Sequence, residues 1–197
     1  MELIENPVER FAQLYALAEA ADRAGIPDPS AMSLATMGAG GQPSVRIVLL
    51  KGFDEGGFIF YTNYNGRKGR ELLANSKAAL CFYWAPLGAQ VRVEGSVSRV
   101  TDAEADAYFA TRARMSQIGA WASKQSEPIE ADGDLERRVA QYEAEFSGRD
   151  VTRPPYWSGF RVIPDRIEFW ENRPNRLHRR DLYVRDGTEW RATVLYP

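Results

Sequence analysis

This sequence predicts an antiparallel β-barrel decorated by peripheral helices, mainly β within the α+β class. Three observations predict it. Strand-like runs follow one another directly from Ala31; turn signals at 38–43 and 54–57 separate them; and the helical stretches after the first are short and set between strands. A parallel sheet would instead alternate strand and helix. At 197 residues the chain is long enough for one domain with a real core, and no repeat, low-complexity tract or linker divides it.

The elements follow in order. Asn6-Pro7-Val8-Glu9 reads as a cap with proline at the first helical position, and Phe11, Leu14, Tyr15 and Leu17 continue at helical spacing toward a stop near Gly25-Ile26-Pro27. This N-terminal helix occupies 1–30. Barrel strands occupy 31–100: runs at 32–36, 45–53 and 58–62, a short helix at 66–75, then strands at 78–84 and 90–100, the last alternating Val91, Val93 and Val97 with polar residues. A helical insertion spans 101–147. Thr101-Asp102-Ala103-Glu104 is a capping box opening its first helix, Ser116 is placed to cap the second, and 135–146 form a third. Pro154-Pro155 ends that pattern, and 157–197 return to strands at 159–163, 166–170, 182–185 and 190–195, with Asp186-Gly187 as a hairpin turn. Six to eight strands are expected.

Composition narrows the function. A net charge of -2 argues against a general nucleic-acid binder. Of the 25 cationic residues 21 are arginines, the better bidentate partners for phosphate and carboxylate, so Lys51, Lys68, Lys77 and Lys124 stand out. One cysteine and one histidine leave no intrachain disulfide and no cysteine- or histidine-rich metal site. The first residues lack a basic stretch leading into an apolar core, and no apolar run reaches membrane-spanning length, so a cytoplasmic protein with no membrane partner is expected.

Three clusters carry chemistry. In the first, Arg46 to Lys51 precede Tyr61-Thr62-Asn63-Tyr64-Asn65-Gly66-Arg67-Lys68, which runs strand, polar loop, helix start. Cations in a first helical turn oppose the helix dipole unless an anion such as phosphate docks there. A solvated basic turn is the equal alternative. Lys51 ends an apolar run, so a buried stem with its ammonium aimed at a partner is expected, beside the plainer reading of a snorkelling lysine. In the second, Tyr108 and Arg112 are four apart on one helix face, with Ser116 following. A phenol, a guanidinium and a hydroxyl suit a phosphomonoester, although a packing tyrosine and a surface arginine satisfy the spacing too. In the third, Glu168-Phe169-Trp170 leads into Arg176-Leu177-His178-Arg179-Arg180, where the single imidazole lies among like charges that repel unless an anion sits between them. Trp170 either walls a flat ligand or fills the core.

Taken together, these segments resemble the pyridoxine/pyridoxamine 5′-phosphate oxidase family. The resemblance runs from about Asn6 to the end, and its most specific pieces are Arg46-Ile-Val-Leu-Leu-Lys51, Phe60-Tyr-Thr-Asn63, Arg67-Lys68, the run from Ser116 to Ser126, Ile167-Glu-Phe-Trp170 and Arg176-Leu-His178. It implies an FMN-binding split β-barrel with Greek-key-like connections, and a homodimer with FMN at the interface. By matching motif, Arg46, Ile47, Val48, Leu49, Leu50, Lys51, Tyr61, Thr62, Arg67, Lys68, Gln90, Gln125, Ser126, Trp170 and Arg180 would hold FMN. Lys51, Tyr108, Arg112 and Ser116 would hold the substrate phosphate and neighbouring groups. Arg176 and His178 would cover the substrate as the catalytic pair, with positioning and electrostatic roles. The implied reaction is oxidation of pyridoxamine or pyridoxine 5′-phosphate to pyridoxal 5′-phosphate, with O2 as acceptor and hydrogen peroxide as product.

The chain departs from the family pattern in three places. Arg179 stands where the family usually has aspartate. The usual Arg-Pro-Arg-Asp-Ser stretch is Arg112-Ala113-Arg114-Met115-Ser116, and the family's basic N-terminal extension is essentially missing. Two other functions therefore accompany the first: a same-fold FMN oxidase of another small aromatic substrate, as in phenazine biosynthesis, and a non-catalytic flavin- or pyridoxal-phosphate-binding protein.

Overall fold

The computed structural model describes residues 6–21 and 25–197. Its elements are α1 (Pro7–Ala20), β1 (Ala31–Met37), β2 (Pro43–Leu49), β3 (Gly52–Asp54), β4 (Gly57–Asn63), α2 (Arg67–Ala74), β5 (Lys77–Trp84), β6 (Ala89–Arg99), α3 (Asp102–Ala110), α4 (Arg114–Ala122), α5 (Asp134–Glu145), β7 (Trp157–Glu171), β8 (Arg179–Asp186) and β9 (Glu189–Leu195). The α1 cap is as expected: Asn6 Oδ1 accepts from Val8 N at 2.8 Å. The helix ends at Ala20, and the expected stretch toward Gly25 lies partly outside the described residues. The Thr101–Glu104 capping box also forms.

The nine strands among the described residues join one antiparallel sheet in the order β2-β1-β5-β6-β7-β4-β3, with β8 on β7 and β9 on β8. The expected single strand at 45–53 is two strands. β2 pairs β1 in full register from Ala31–Leu49 to Met37–Pro43, whereas β3 pairs β4. Only Leu50 and Lys51 separate them, Leu50 N donating to Ser30 O and Lys51 N to Ile59 O, both at 2.8 Å. Because the two ends of the strand order are consecutive in the chain, this link draws the sheet round into a barrel split between β2 and β3.

The expected pair of strands at 159–163 and 166–170 is the opposite case, one 15-residue strand. Pro164 lacks an amide proton for the ladder, and the register with β6 shifts between Glu94 and Gly95 to pass it. Gly95 is required there, since a Cβ would lie 1.9 Å from Ile163 O.

Alternation along the strands sends Met32, Leu34, Phe58, Phe60, Phe82, Val91, Val93, Val162, Ile167 and Tyr183 into the barrel. α1 adds Phe11, fully buried with its ring 4.9 Å from both Phe53 and Phe58 and 5.0 Å from Phe82. A second core of Phe109, Ile118, Phe146, Val151 and Trp157 packs α3 and α4 against the start of β7. By contrast, the outer face of β2 leaves Val45 69 % and Ile47 62 % exposed. No helix among the described residues is long and apolar enough to cross a membrane.

Candidate active site

The first cluster forms around the start of α2. Gly66 offers no capping side chain and the first turn carries no acid. Instead Ser126, in the loop after α4 and itself at φ 71°, accepts from Arg67 N at 3.1 Å. Gln125 Oε1 accepts from Lys68 Nζ at 3.0 Å and from Thr62 Oγ1 at 3.3 Å. Burial, and then the nearby Arg46 guanidinium, pull the Lys68 ammonium below its ordinary value. Arg46 binds Leu34 O, Thr36, Ser44 and Glu71 through its two terminal nitrogens.

At the centre of this cluster is Glu71, which the sequence reading did not single out. Its side chain accepts from Thr36 Oγ1 at 2.5 Å, Ser44 Oγ at 2.6 Å and Arg67 Nε at 2.9 Å, and pairs with Arg46 at 3.2 Å. Burial opposes its charge, but these four donors prevail and hold the carboxyl at about 2. The spacing of Arg67 and Glu71 on one helix face was the available signal; the donors from β1 and β2 had none.

Lys51 differs from expectation. It lies exposed at the β2–β3 link rather than with a buried stem, because the apolar run ends where the chain changes partner strand. Of the neighbouring positions, Leu50 faces the core and Val48 packs against it, while Ile47 and Leu49 point outward.

The second cluster stacks rather than scatters. The Tyr61 and Tyr108 rings lie 4.1 Å apart at 14°, and Tyr61 continues onto Trp157 at 5.5 Å and 4°. Arg112 places its guanidinium 4.6 Å from the Trp157 ring centre. Its Nη1 is buried without a hydrogen-bond partner among the described residues. An unpaired buried guanidinium N–H is costly unless an anion completes it. Burial accordingly lowers the Arg112 pKa from its ordinary value, with Tyr108 opposing. Ser116 is not a helix cap, as the spacing suggested: α4 starts at Arg114 with Ala113 at the cap position, leaving Ser116 exposed in the first turn.

The third cluster lies on the outer face of β6, β7 and β8, where Gln90, Trp170 and Arg180 form one cross-strand row. Trp170 is half-buried, not a core residue, and its ring sits 4.6 Å from that of His178. Arg180 forms a bidentate pair with Glu168, at 2.9 and 3.1 Å, which raises the Arg180 pKa. Arg179 has the opposite strand parity and turns away. It joins Arg10 on the buried Asp181, with Arg179 Nε and Arg10 Nη2 each 2.8 Å from a carboxylate oxygen. The charge reversal at 179 is thus compensated on the core side and does not enter the Trp170–His178 face. Arg176 is exposed in the loop that follows Trp170.

One chain does not bring these clusters together. Thr62 pairs with Ser158 near the start of β7, whereas Gln90 and Arg180 pair with Trp170 near its end. Twelve residues of strand separate Ser158 from Trp170, a span of up to about 40 Å.

Comparison with known proteins gives the family. Residues 18–171 match the family model described as pyridoxamine 5′-phosphate oxidase, and 157–197 match the pyridoxine 5′-phosphate oxidase C-terminal dimerisation region. The chain is 58 % identical over 192 residues to pyridoxine/pyridoxamine 5′-phosphate oxidase of Myxococcus xanthus strain DK1622, covering 98 % of this chain and 92 % of that protein. For the protein of the same name from Rubrobacter xylanophilus the figures are 57 %, 98 % and 87 %. Among solved structures, PhzG from Burkholderia lata 383 in complex with tetrahydrophenazine-1-carboxylic acid superposes with a TM-score of 0.87 at 31 % identity, covering 100 % of this chain and 99 % of that one. A pyridoxamine 5′-phosphate oxidase-related, FMN binding protein from Nostoc punctiforme gives 0.74 at 20 % identity, over 94 % and 96 % of the two chains.

The fold and the family match define an FMN-dependent split-barrel oxidoreductase. The residues present fit FMN: an acid-free helix start with Arg67 and a desolvated Lys68 suits its phosphate, and the half-exposed Trp170 suits a flat ring. Within that class, the chain belongs to the pyridoxine/pyridoxamine 5′-phosphate oxidase family and carries the family's dimerisation region.

Proposed function

We propose that this chain, as a single FMN-binding domain in a cytoplasmic homodimer, oxidises pyridoxamine 5′-phosphate, pyridoxine 5′-phosphate or both to pyridoxal 5′-phosphate. The observation that carries the reading is the buried, unpartnered Nη1 of Arg112, a second anion clamp separate from the one at α2. Two phosphorylated ligands need two such clamps.

In this reading the start of α2, with Thr62, Arg67, Lys68, Gln125 and Ser126, holds the FMN phosphate. Arg46 braces that corner through Glu71, and the β2 backbone from Ile47 to Lys51 borders the flavin. Gln90, Trp170 and Arg180 come from a second copy, because they lie at the far end of β7. The apolar outer face of β2 supports that assembly. Tyr108, Arg112 and Ser116 take the substrate phosphate, with Lys51 reaching in from the β2–β3 link. Arg176 and His178 close over the pyridine ring. The chemistry FMN supplies when bound is acceptance of a hydride from the substrate C4′ carbon, with O2 as final acceptor and hydrogen peroxide as product. The alcohol gives the aldehyde directly; the amine gives an imine, which water hydrolyses with release of ammonia. The residues named act by holding the two rings in register.

The superposition on PhzG favours a second reading, an aromatic carboxylate in place of the phosphomonoester at Arg112. Identity of 58 % to the B6 oxidases against 31 % to PhzG supports the first. The test is anaerobic addition of each B6 phosphate to the yellow holoenzyme, followed by assay of pyridoxal phosphate and peroxide in air. Bleaching with product formation is expected. A bound flavin that neither substrate reduces would refute the reading, and flavin binding without any peroxide would favour a non-catalytic protein.

A further inference from the structure

The loop between β7 and β8 carries the chain's one histidine, and the loop backbone decides which ring nitrogen bears the proton. Asn172 N donates to Gly88 O at 2.7 Å, anchoring the loop on the turn between β5 and β6. Arg173 is extended, at φ −135° and ψ 155°, the conformation a following proline favours. Pro174 to Leu177 then form a tight turn closed by Leu177 N donating to Pro174 O at 3.2 Å. Both central residues are left-handed, Asn175 at φ 58° and Arg176 at φ 61°. Turns of this hand favour asparagine first and glycine second. Asn175 suits its place; Arg176 occupies a strained one, as residues that reach for a ligand often do.

This turn folds the chain back so that Arg173 N donates to His178 Nδ1 at 3.2 Å. A backbone amide can only donate, so Nδ1 presents a lone pair and the neutral ring carries its proton on Nε2. Nε2 makes no hydrogen bond among the described residues, and the ring is steadied against Trp170.

We propose that the Arg173 amide holds His178 as the Nε2–H tautomer, so that His178 serves as a hydrogen-bond donor to an oxygen of the substrate, with Asn175 as the positioning residue that sets the amide. A neutral imidazole in this state has no free lone pair, because Nδ1 is occupied by the amide and Nε2 already bears hydrogen. It therefore does not act as the proton acceptor. The inference rests on the reading that this loop covers the substrate.

The single histidine makes the test direct. In holoenzyme carrying 15N-histidine, on the alkaline plateau of its nitrogen shifts, one ring contributes the whole imidazole spectrum. A pyridine-type Nδ1 and a pyrrole-type Nε2 are expected; a pyrrole-type Nδ1, or two averaged signals, would overturn the assignment. Asn175→Gly, which accepts positive φ, should preserve that spectrum, and Asn175→Val should average it and lower kcat/KM. An unaltered spectrum in Asn175→Val would remove Asn175 from the scheme. His178→Gln, which keeps an N–H near the Nε2 position, should retain most of kcat/KM, whereas His178→Ala should lose about ten- to a hundredfold. Equal losses in the two variants would overturn the donor role. Should the wild-type enzyme oxidise neither B6 phosphate, the substrate reading fails, while the 15N spectrum still upholds or overturns the tautomer.

Discussion

Glu71→Gln tests the electrostatic core of the proposed flavin-phosphate corner. The carboxyl is held at about 2 against an ordinary 4.5, which at about 1.4 kcal/mol per pH unit is on the order of 3 kcal/mol in favour of the charged form. The side chain is only 10 % exposed, so solvent screening removes little of this. Because the folded-state value is depressed, the stabilisation is fully present above 4.5 and is lost as pH falls from there toward 2. For a chain of this size, the glutamine variant should unfold roughly 6–12 °C lower at neutral pH. The gap between the two proteins should then close on acidification. Thermal unfolding of FMN-free protein, followed by circular dichroism at fixed concentration, reads both effects without any contribution from bound phosphate. A variant within about 2 °C of wild type at neutral pH, or a gap that persists unchanged in acid, would refute the claim that Glu71 anchors Arg46 and Arg67.

Three further outcomes are expected. Lys68→Met should weaken FMN binding by about ten- to a hundredfold in a flavin-fluorescence titration; since the Lys68 pKa is lowered from 10.5 and phosphate favours the ammonium, wild-type affinity should also fall as pH rises through that lowered value, a limb the variant lacks. Arg112→Ala should raise KM for the phosphorylated substrate by about tenfold or more at unchanged flavin content, and loss of flavin instead would assign Arg112 to the wrong ligand. Ile47→Asp, on the exposed apolar face of β2, should yield monomers in sedimentation and poor flavin retention, whereas an intact dimer would exclude that face from the interface.

Much of the site was legible as local chemistry. Gly66-Arg67-Lys68 was legible as a basic helix start, where cations oppose the dipole; Tyr108 and Arg112 do come near each other, but not on one helix face, because α3 ends at Ala110. What escaped notice was whatever depends on a partner distant in sequence. Glu71 owes its role to Thr36 and Ser44, 35 and 27 residues away. Trp157 joins Tyr61 and Tyr108 only because β4 pairs with β7. Ser116 looked like a cap because serine usually is one, but the helix had already begun at Arg114. Arg179 seemed a charge misplaced beside the active-site pair until strand parity turned it toward Asp181.

By itself, then, the sequence determined the element types, the antiparallel class and the residue chemistry of each clamp, because hydrophobic period, caps and charge at helix ends act within a few residues. Only the tertiary structure decided that 45–53 breaks into two strands, that 157–171 does not break, and that the residues proposed to bind flavin lie at opposite ends of β7. Those outcomes depend on which strands become neighbours. Pairing is a long-range choice, set by burial of the whole barrel, and no window along the chain contains it.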